Sequence, residues 1–271
     1  MSMMLRMAGT LGQRRMSPLH PMTRDYIARL QAVSGHEPAF DAANDYLIRE
    51  LVNLGGAYWD TMGTMTTLVG KKWEGLLVPL RDGMDVGTNV NFVSGDFNAK
   101  TGLLCDGNKK INSNRNNNAD PQNSQSMGFW RTTSGSIGVG VGFIGVGGGG
   151  TAGSSGILQV TNNQTAFRSR QTGGGGVAFI GWELGYSGVN RATAENYSYR
   201  VSGESFTVTE ASQTPHNSPI GVFQRMTSNE FSGSTATGHR FSLYHIGPAL
   251  DLATLDSILT EYMARIDEVA S

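Results

Sequence analysis

The sequence holds one cysteine, Cys105, which excludes an intrachain disulfide framework and any zinc site built on cysteine ligands. It sits in an apolar, strand-like run and reads as a small buried hydrophobe rather than a reactive thiol. Charge is scarce too: 16% of residues are Asp, Glu, Lys or Arg, and the formal net charge is −1. A nucleic-acid partner calls for a clustered basic face, so none is expected. No apolar stretch approaches the roughly 18–20 residues that span a bilayer, so no membrane insertion is expected. Arg6 interrupts the short apolar run at the start, so that run lacks the core of a secretion signal, and synthesis in a cytoplasm is expected. There is no G-x-S-x-G elbow, H-E-x-x-H pair or phosphate loop. Glu183, Glu204 and Glu210 stand singly on different candidate strands, without the paired acids of a glycan hydrolase. No enzyme activity and no obligatory cofactor are expected.

Glycine and asparagine are abundant instead. The 37 glycines punctuate short runs of period two, the pattern of half-buried strands. Between Asn89 and Asn123 stand ten Asn and three Asp, residues that bond their own backbone and belong in turns. Strand-like pieces at 101–105 and 109–112 flank Asp106-Gly107, a hairpin signal, and 112–121 reads as a long polar loop. Further strands are expected near 127–132, 137–147, 157–161, 165–170, 177–186, 197–201, 205–209, 220–226 and 240–246. Gly140-Val141-Gly142-Phe143-Ile144-Gly145 spells a dinucleotide fingerprint, but no helix follows it, and its glycine face suits close approach of another backbone. Helical periodicity is confined to the ends: 24–33 after Thr23, 41–54 after Asp41, and 251–269 capped by Asp251. The fold class expected is mainly β, an antiparallel jelly-roll β-sandwich with an N-terminal helical segment and a C-terminal helix. The expected partition is an arm and helical hairpin over residues 1–75, then the sandwich with its closing helix over 76–271.

The run Gly95-Asp96-Phe97-Asn98, Lys100-Thr101-Gly102-Leu103, Asp106-Gly107 and Asn116-Asn117-Asn118-Ala119-Asp120-Pro121-Gln122-Asn123-Ser124-Gln125 resembles the first hairpin of concanavalin/laminin-G-like jelly rolls in structural proteins of tailed bacteriophages. Ala57-Tyr58-Trp59-Asp60 and the stretch from Ser242 to Leu255 extend the resemblance. It implies a virion location, in a decoration, head-fibre or tail-attached protein. The implied partners are other virion proteins and copies of itself, with host surface polysaccharide as a ligand. The runner-up is a glycan-cleaving depolymerase or receptor-binding tail enzyme.

Candidate site residues follow from side-chain chemistry. Trp130, Trp182, Tyr186, Tyr197 and Tyr199 offer rings for sugar stacking, although a core position is the ordinary role of each. Arg191 and Arg225 have donors for a glycan or for a neighbouring loop. Asp96, Asp106 and Asp120 are the candidates for a calcium ion, which takes oxygen ligands; turn chemistry is the competing role. His239 and His245, six apart on one strand, are expected to share a face about 20 Å apart, too far for one ion. For assembly, Arg6, Arg14 and Arg15 in the Met-rich arm, with Tyr26, Ile27 and Leu30 on the first helix, are the expected contacts with other chains.

Overall fold

The computed structural model describes residues 18–135, 140–148, 150–161, 164–171, 177–179 and 184–270. Two sheets, of eight and nine strands among those residues, pack face to face. The first runs Glu204–Thr209, Asn196–Val201, Gly185–Arg191, Gln125–Thr133, Arg240–Gly247, Gly102–Leu104 and Phe97–Asn98 in spatial order, and Thr64–Thr67 also pairs with Arg240–Gly247. The second runs Val177–Phe179, Gln164–Gln171, Ser154–Thr161, Gly142–Val146, Pro219–Val222, Lys110–Asn116 and Thr88–Val90. A hairpin of Arg225–Thr227 and Glu230–Ser232 joins it beside Val146. Between the sheets Phe129, Phe143, Phe223 and Phe241 stack with ring centroids 4.3 to 6.4 Å apart. This is the antiparallel jelly-roll sandwich.

Helices form a third layer on the outer face of the first sheet. They are α1 (Pro21–Ala32), α2 (Asp41–Asn53), the short α3 (Gly56–Thr61) and α4 (Leu252–Glu268). Tyr26, Leu30, Leu47 and Leu51 meet Leu255, Leu259 and Ile266 over Leu243 in a second apolar core. Each such fully buried Leu or Ile contributes about 1.5–3 kcal/mol. Asp251 caps α4 as expected, its carboxylate accepting from the Ala253 amide at 2.9 Å. α1 begins earlier than expected, at Pro21, and His20 rather than Thr23 accepts the capping bond from the Met22 amide. Thr23 is buried and donates to Asp45 at 2.7 Å.

Several expectations are corrected by tertiary pairing. Thr64–Thr67 is a strand paired with Arg240–Gly247, so the first sheet starts before residue 76, where the sandwich is expected to begin. The Asp106-Gly107 hairpin is a corner instead: Gly102–Leu104 lies in the first sheet and Lys110–Asn116 in the second. Gly107 turns the chain at φ 70°, and Cys105 exchanges backbone bonds with His239 and Gly238 rather than with the strand that follows. The polar loop expected from 112 starts later, because Lys110–Asn116 pairs with Pro219–Val222 and Thr88–Val90. The expected strand 220–226 is broken at Phe223, at φ 66°.

The glycine face at 142–147 does admit another backbone. Gly145 lies opposite Gly156, and a Cβ on Gly145 would sit 2.7 Å from the Ser155 carbonyl oxygen and 2.8 Å from the Gly156 Cα. The Asn-rich run is a wired corner. Asn117 donates to the Gly153 carbonyl at 2.9 Å and accepts from Gln125, whose own oxygen accepts from Ser155 and Ser169 at 2.8 and 2.9 Å.

Candidate functional site

On the strand Gln125–Thr133, Phe129 points into the sandwich, so the alternation of the pleat turns Trp130 to the helix side. Trp130 lies between Tyr186 and Leu243 on the neighbouring strands. α4 crosses this face, and Asp256, Thr260, Met263 and Asp267, spaced for one side of a helix, look toward it. The turn Ser202-Gly203 and the rim residues Lys100, Thr132 and Leu184 complete an open cleft of about 600 Å³. Leu184 is 57% exposed there. Gly185, at φ 100°, carries no side chain to cover the indole; a Cβ on it would be 3.9 Å from Trp130.

Lys100 holds one end, its ammonium donating to the carbonyls of Asp267 and Val269 at the C-terminus of α4, where the helix dipole favours a cation. At the other end Asp256 pairs with Arg200 at 2.7 Å, and Arg200 also donates to Ser205 at 3.0 Å. Asp256 is buried, and Arg200 supplies the charge that makes its burial tolerable.

Beneath the cleft, Tyr186 is held in an uncharged pair. The Tyr186 hydroxyl and His245 Nε2 are 2.8 Å apart, and the two rings stack with centroids 5.9 Å apart. Burial pushes the His245 imidazole down to about 3 and raises the Tyr186 phenol well above its ordinary value, so both are neutral at pH 7. Gly128 and Gly188, paired across the strands, make the room: a Cβ on Gly188 would meet the Tyr186 oxygen at 2.3 Å, and one on Gly128 would meet His245 Nε2 at 2.8 Å.

The structure separates the sequence-predicted residues. Trp130 lines the cleft and Tyr186 lies buried beneath it. Tyr197 and Tyr199 are corrected from sugar platforms to core residues. The Tyr197 hydroxyl donates to the Phe167 carbonyl at 2.9 Å, and Tyr199 stacks between Phe167 and Phe206 at 4.5 and 4.8 Å. Arg191 is fully buried and donates to the carbonyls of Ser169, Thr193, Ala194, Asn196 and Glu210, so its donors fasten loops. Arg225 is half-buried on the second sheet, away from the cleft. Trp182 lies outside the described residues, as do Arg6, Arg14 and Arg15.

Asp96, Asp106 and Asp120 are not brought together, and no group of three acid, histidine or cysteine residues converges among the described residues. Asp96 accepts from Lys109 and the Val93 amide, Asp120 is gripped by Arg115, which also reaches Asp85 at 2.8 Å, and Asp106 is exposed. Tyr26 and Leu30, expected at an assembly contact, are buried in the chain's own helical core because α1 packs on α2 and the sheet, and Ile27, expected there too, is also buried. His239 and His245 do not share a face. Shifts in register along Arg240–Gly247 add a residue against Gln125–Thr133, so Phe241, Tyr244 and Ile246 point into the sandwich while Leu243 and His245 point to the helices. His239 meets Phe143 edge-on inside the sandwich at 5.0 Å.

Lys100, Thr260 and Asp267 escaped the sequence reading, since helical spacing marks Thr260 and Asp267 only once the helix face is known to border a cleft.

No protein-family model matches the chain, and no curated protein matches it either. Solved structures do resemble it. Trypanosoma rangeli sialidase in complex with 2,3-difluorosialic acid (covalent intermediate) is 13% identical, with a TM-score of 0.50 over 90% of this chain and 40% of that one. Domain 4 of AbnA, an extracellular arabinanase from Geobacillus stearothermophilus, in complex with arabinotriose, is 11% identical, with a TM-score of 0.47 over 73% and 98%. The botulinum neurotoxin serotype D binding domain is 11% identical, with a TM-score of 0.45 over 76% and 52%. The chain thus spans two fifths of the sialidase it matches. At such identities the likeness is one of fold alone.

Proposed function

We propose that this chain is a non-enzymatic structural protein of a tailed-phage particle whose sandwich binds host surface glycan in the cleft beside Trp130. The observation that carries the glycan reading is that cleft, where one indole and an exposed Leu184 face hydroxyl, ammonium and carboxylate groups. Sugar rings present an apolar C–H face and an edge of hydroxyls, and a mixed wall of this kind suits both. The virion setting rests on the sequence resemblance at residues 95–125.

The reading includes no catalytic step. Asp256 and Asp267, the acids at the cleft, are separated along α4 by about 16 Å at helical rise. Glycoside hydrolysis by a pair of carboxyl groups needs them within roughly 5–10 Å of one another. Asp256 is moreover engaged by Arg200. The runner-up, a depolymerase, is answered by a reducing-sugar assay on host capsular and lipopolysaccharide fractions.

A glycan array followed by titration of the best ligand tests the binding. Trp130→Ala should weaken that ligand at least about tenfold, the loss of one stacking contact of about 1.4 kcal/mol, with an unchanged denaturation midpoint. Binding that survives in Trp130→Ala and in Asp267→Asn would overturn the site. A density map of the intact particle that lacks this chain would overturn the virion setting.

A further inference from the structure

The outer face of the second sheet carries two arginines that have no counter-charge among the described residues. On Gln164–Gln171, Phe167 stacks on Tyr199 and Ser169 donates to Gln125, so both point into the sandwich and Arg168, between them, points out. Arg168 is nonetheless only 7% exposed. Its Nε is buried without a partner, and no hydrogen bond reaches its guanidinium among the described residues. Other deeply buried arginines are satisfied: Arg170 donates to the Pro121 and Asn117 carbonyls, and Arg191 to five carbonyls. Arg225 is the second group. Its backbone rests on Gly142, where a Cβ would meet the Arg225 nitrogen at 2.6 Å. Its side chain runs between Gly233 and Gly148, whose added carbons would stand 3.3 Å from Nε and 3.5 Å from Nη2. That Nε also lacks a partner. The two charges are neighbours: burial, and then Arg225, push the Arg168 guanidinium below its ordinary value. Across the sheet from Arg168 lie Gly156 and then Gly145, positions that set no side chain beside it.

We propose that Arg168 and Arg225 form an oxyanion site that takes a phosphate group, either as the free ion or as a monoester. A guanidinium fork matches two oxygens of such a group with parallel N–H bonds. A buried charge with no counter-charge is strongly destabilising, and an anion seated between the two groups removes that cost together with their mutual repulsion. Two positive charges side by side favour a doubly charged phosphate over a singly charged carboxylate. Arg225 is half-buried, which leaves the pair within reach of solvent. The site lies on the sheet opposite the Trp130 cleft, so it is independent of glycan binding there.

Calorimetric titration of the full chain with inorganic phosphate, in low-salt buffer free of other oxyanions, tests this. One phosphate should bind per chain, and Arg168→Met and Arg225→Gln should each weaken it at least about tenfold, the loss of one charge-assisted fork. Urea denaturation separates the site from general salt effects: phosphate should raise the wild-type midpoint to a plateau, while neither variant responds. Acetate should bind at least about tenfold more weakly than phosphate, since it carries half the charge. A hexose 1-phosphate distinguishes the two sources. Binding at least as tight as that of the free ion supports the site as one for a sugar monoester, and weaker binding supports it as one for free phosphate. No saturable binding, an equal response to phosphate in all three proteins, or acetate binding as tightly as phosphate would overturn the proposal.

Discussion

Acidification should destabilise this protein well above the pH at which its carboxylates titrate, and His245 should be the cause. The imidazole is fully buried under the helical layer beside Tyr186 and is pushed down to about 3 by loss of solvent, from 6.5 in the unfolded chain. A base with a depressed folded pKa contributes its full stability above 6.5, and that contribution is lost as pH falls toward 3, because the unfolded state takes up the proton first. Each pH unit in this window removes about 1.4 kcal/mol, so a drop from pH 6.5 to about 4.5 costs roughly 2.7 kcal/mol. Asp45 and Asp251 do not confuse the window. At Asp45 the burial that raises its pKa is outweighed by bonds from Arg49, Thr23 and the His20 amide. The Thr254 hydroxyl and Ala253 amide likewise hold Asp251 low, and both carboxyls act only below their unfolded value of 3.8. Urea denaturation of the wild type and of His245→Gln, which keeps a polar partner for Tyr186 without a titrating ring, measures the effect between pH 7 and 4.5. The difference between the two proteins should shrink or reverse by about 2–3 kcal/mol across that range. Parallel loss of stability in both proteins would refute the reasoning.

Three further outcomes are expected. Arg191→Met should lower stability by at least about 3 kcal/mol in chemical denaturation, because it strips donors from several buried carbonyls, and Arg191→Lys should recover less than half of the loss. Cys105 should stay inert to a thiol reagent in the folded protein and react fully once urea unfolds it, since burial pushes its thiol up to about 12. Gly145→Ala should cost about 1–3 kcal/mol in thermal or chemical unfolding, while Gly95→Ala, with nothing near its added carbon, should be almost neutral.

Local chemistry determined a good deal of this fold from the sequence alone. Asp251 and the apolar stripe from Leu252 to Ile266 specify α4, because a helix face and its cap are set within a few residues. Period-two runs specify the strands, and their clustering between helical ends specifies a sandwich. The Phe129-Trp130 pair already says that one ring must leave the core, since adjacent strand residues point to opposite faces.

Pairing partners were beyond local reach. Asp106-Gly107 looks like a hairpin whichever sheet receives the next strand, and only long-range bonds from Cys105 to His239 and Gly238 made it a corner between sheets. The alternation that would place His239 and His245 on one face fails because Arg240–Gly247 carries one extra residue, between Phe241 and Leu243, against Gln125–Thr133, and such a bulge leaves no composition signal. For Tyr197 and Tyr199 a core position is the ordinary reading and a surface platform the competing one, and only the second sheet closing over them decides for the core. The cleft itself joins Trp130 and Lys100 to Asp267, more than a hundred residues along the chain. Its existence depended on where α4 docks across the sheet, and docking is a property of the packed surface rather than of any one segment.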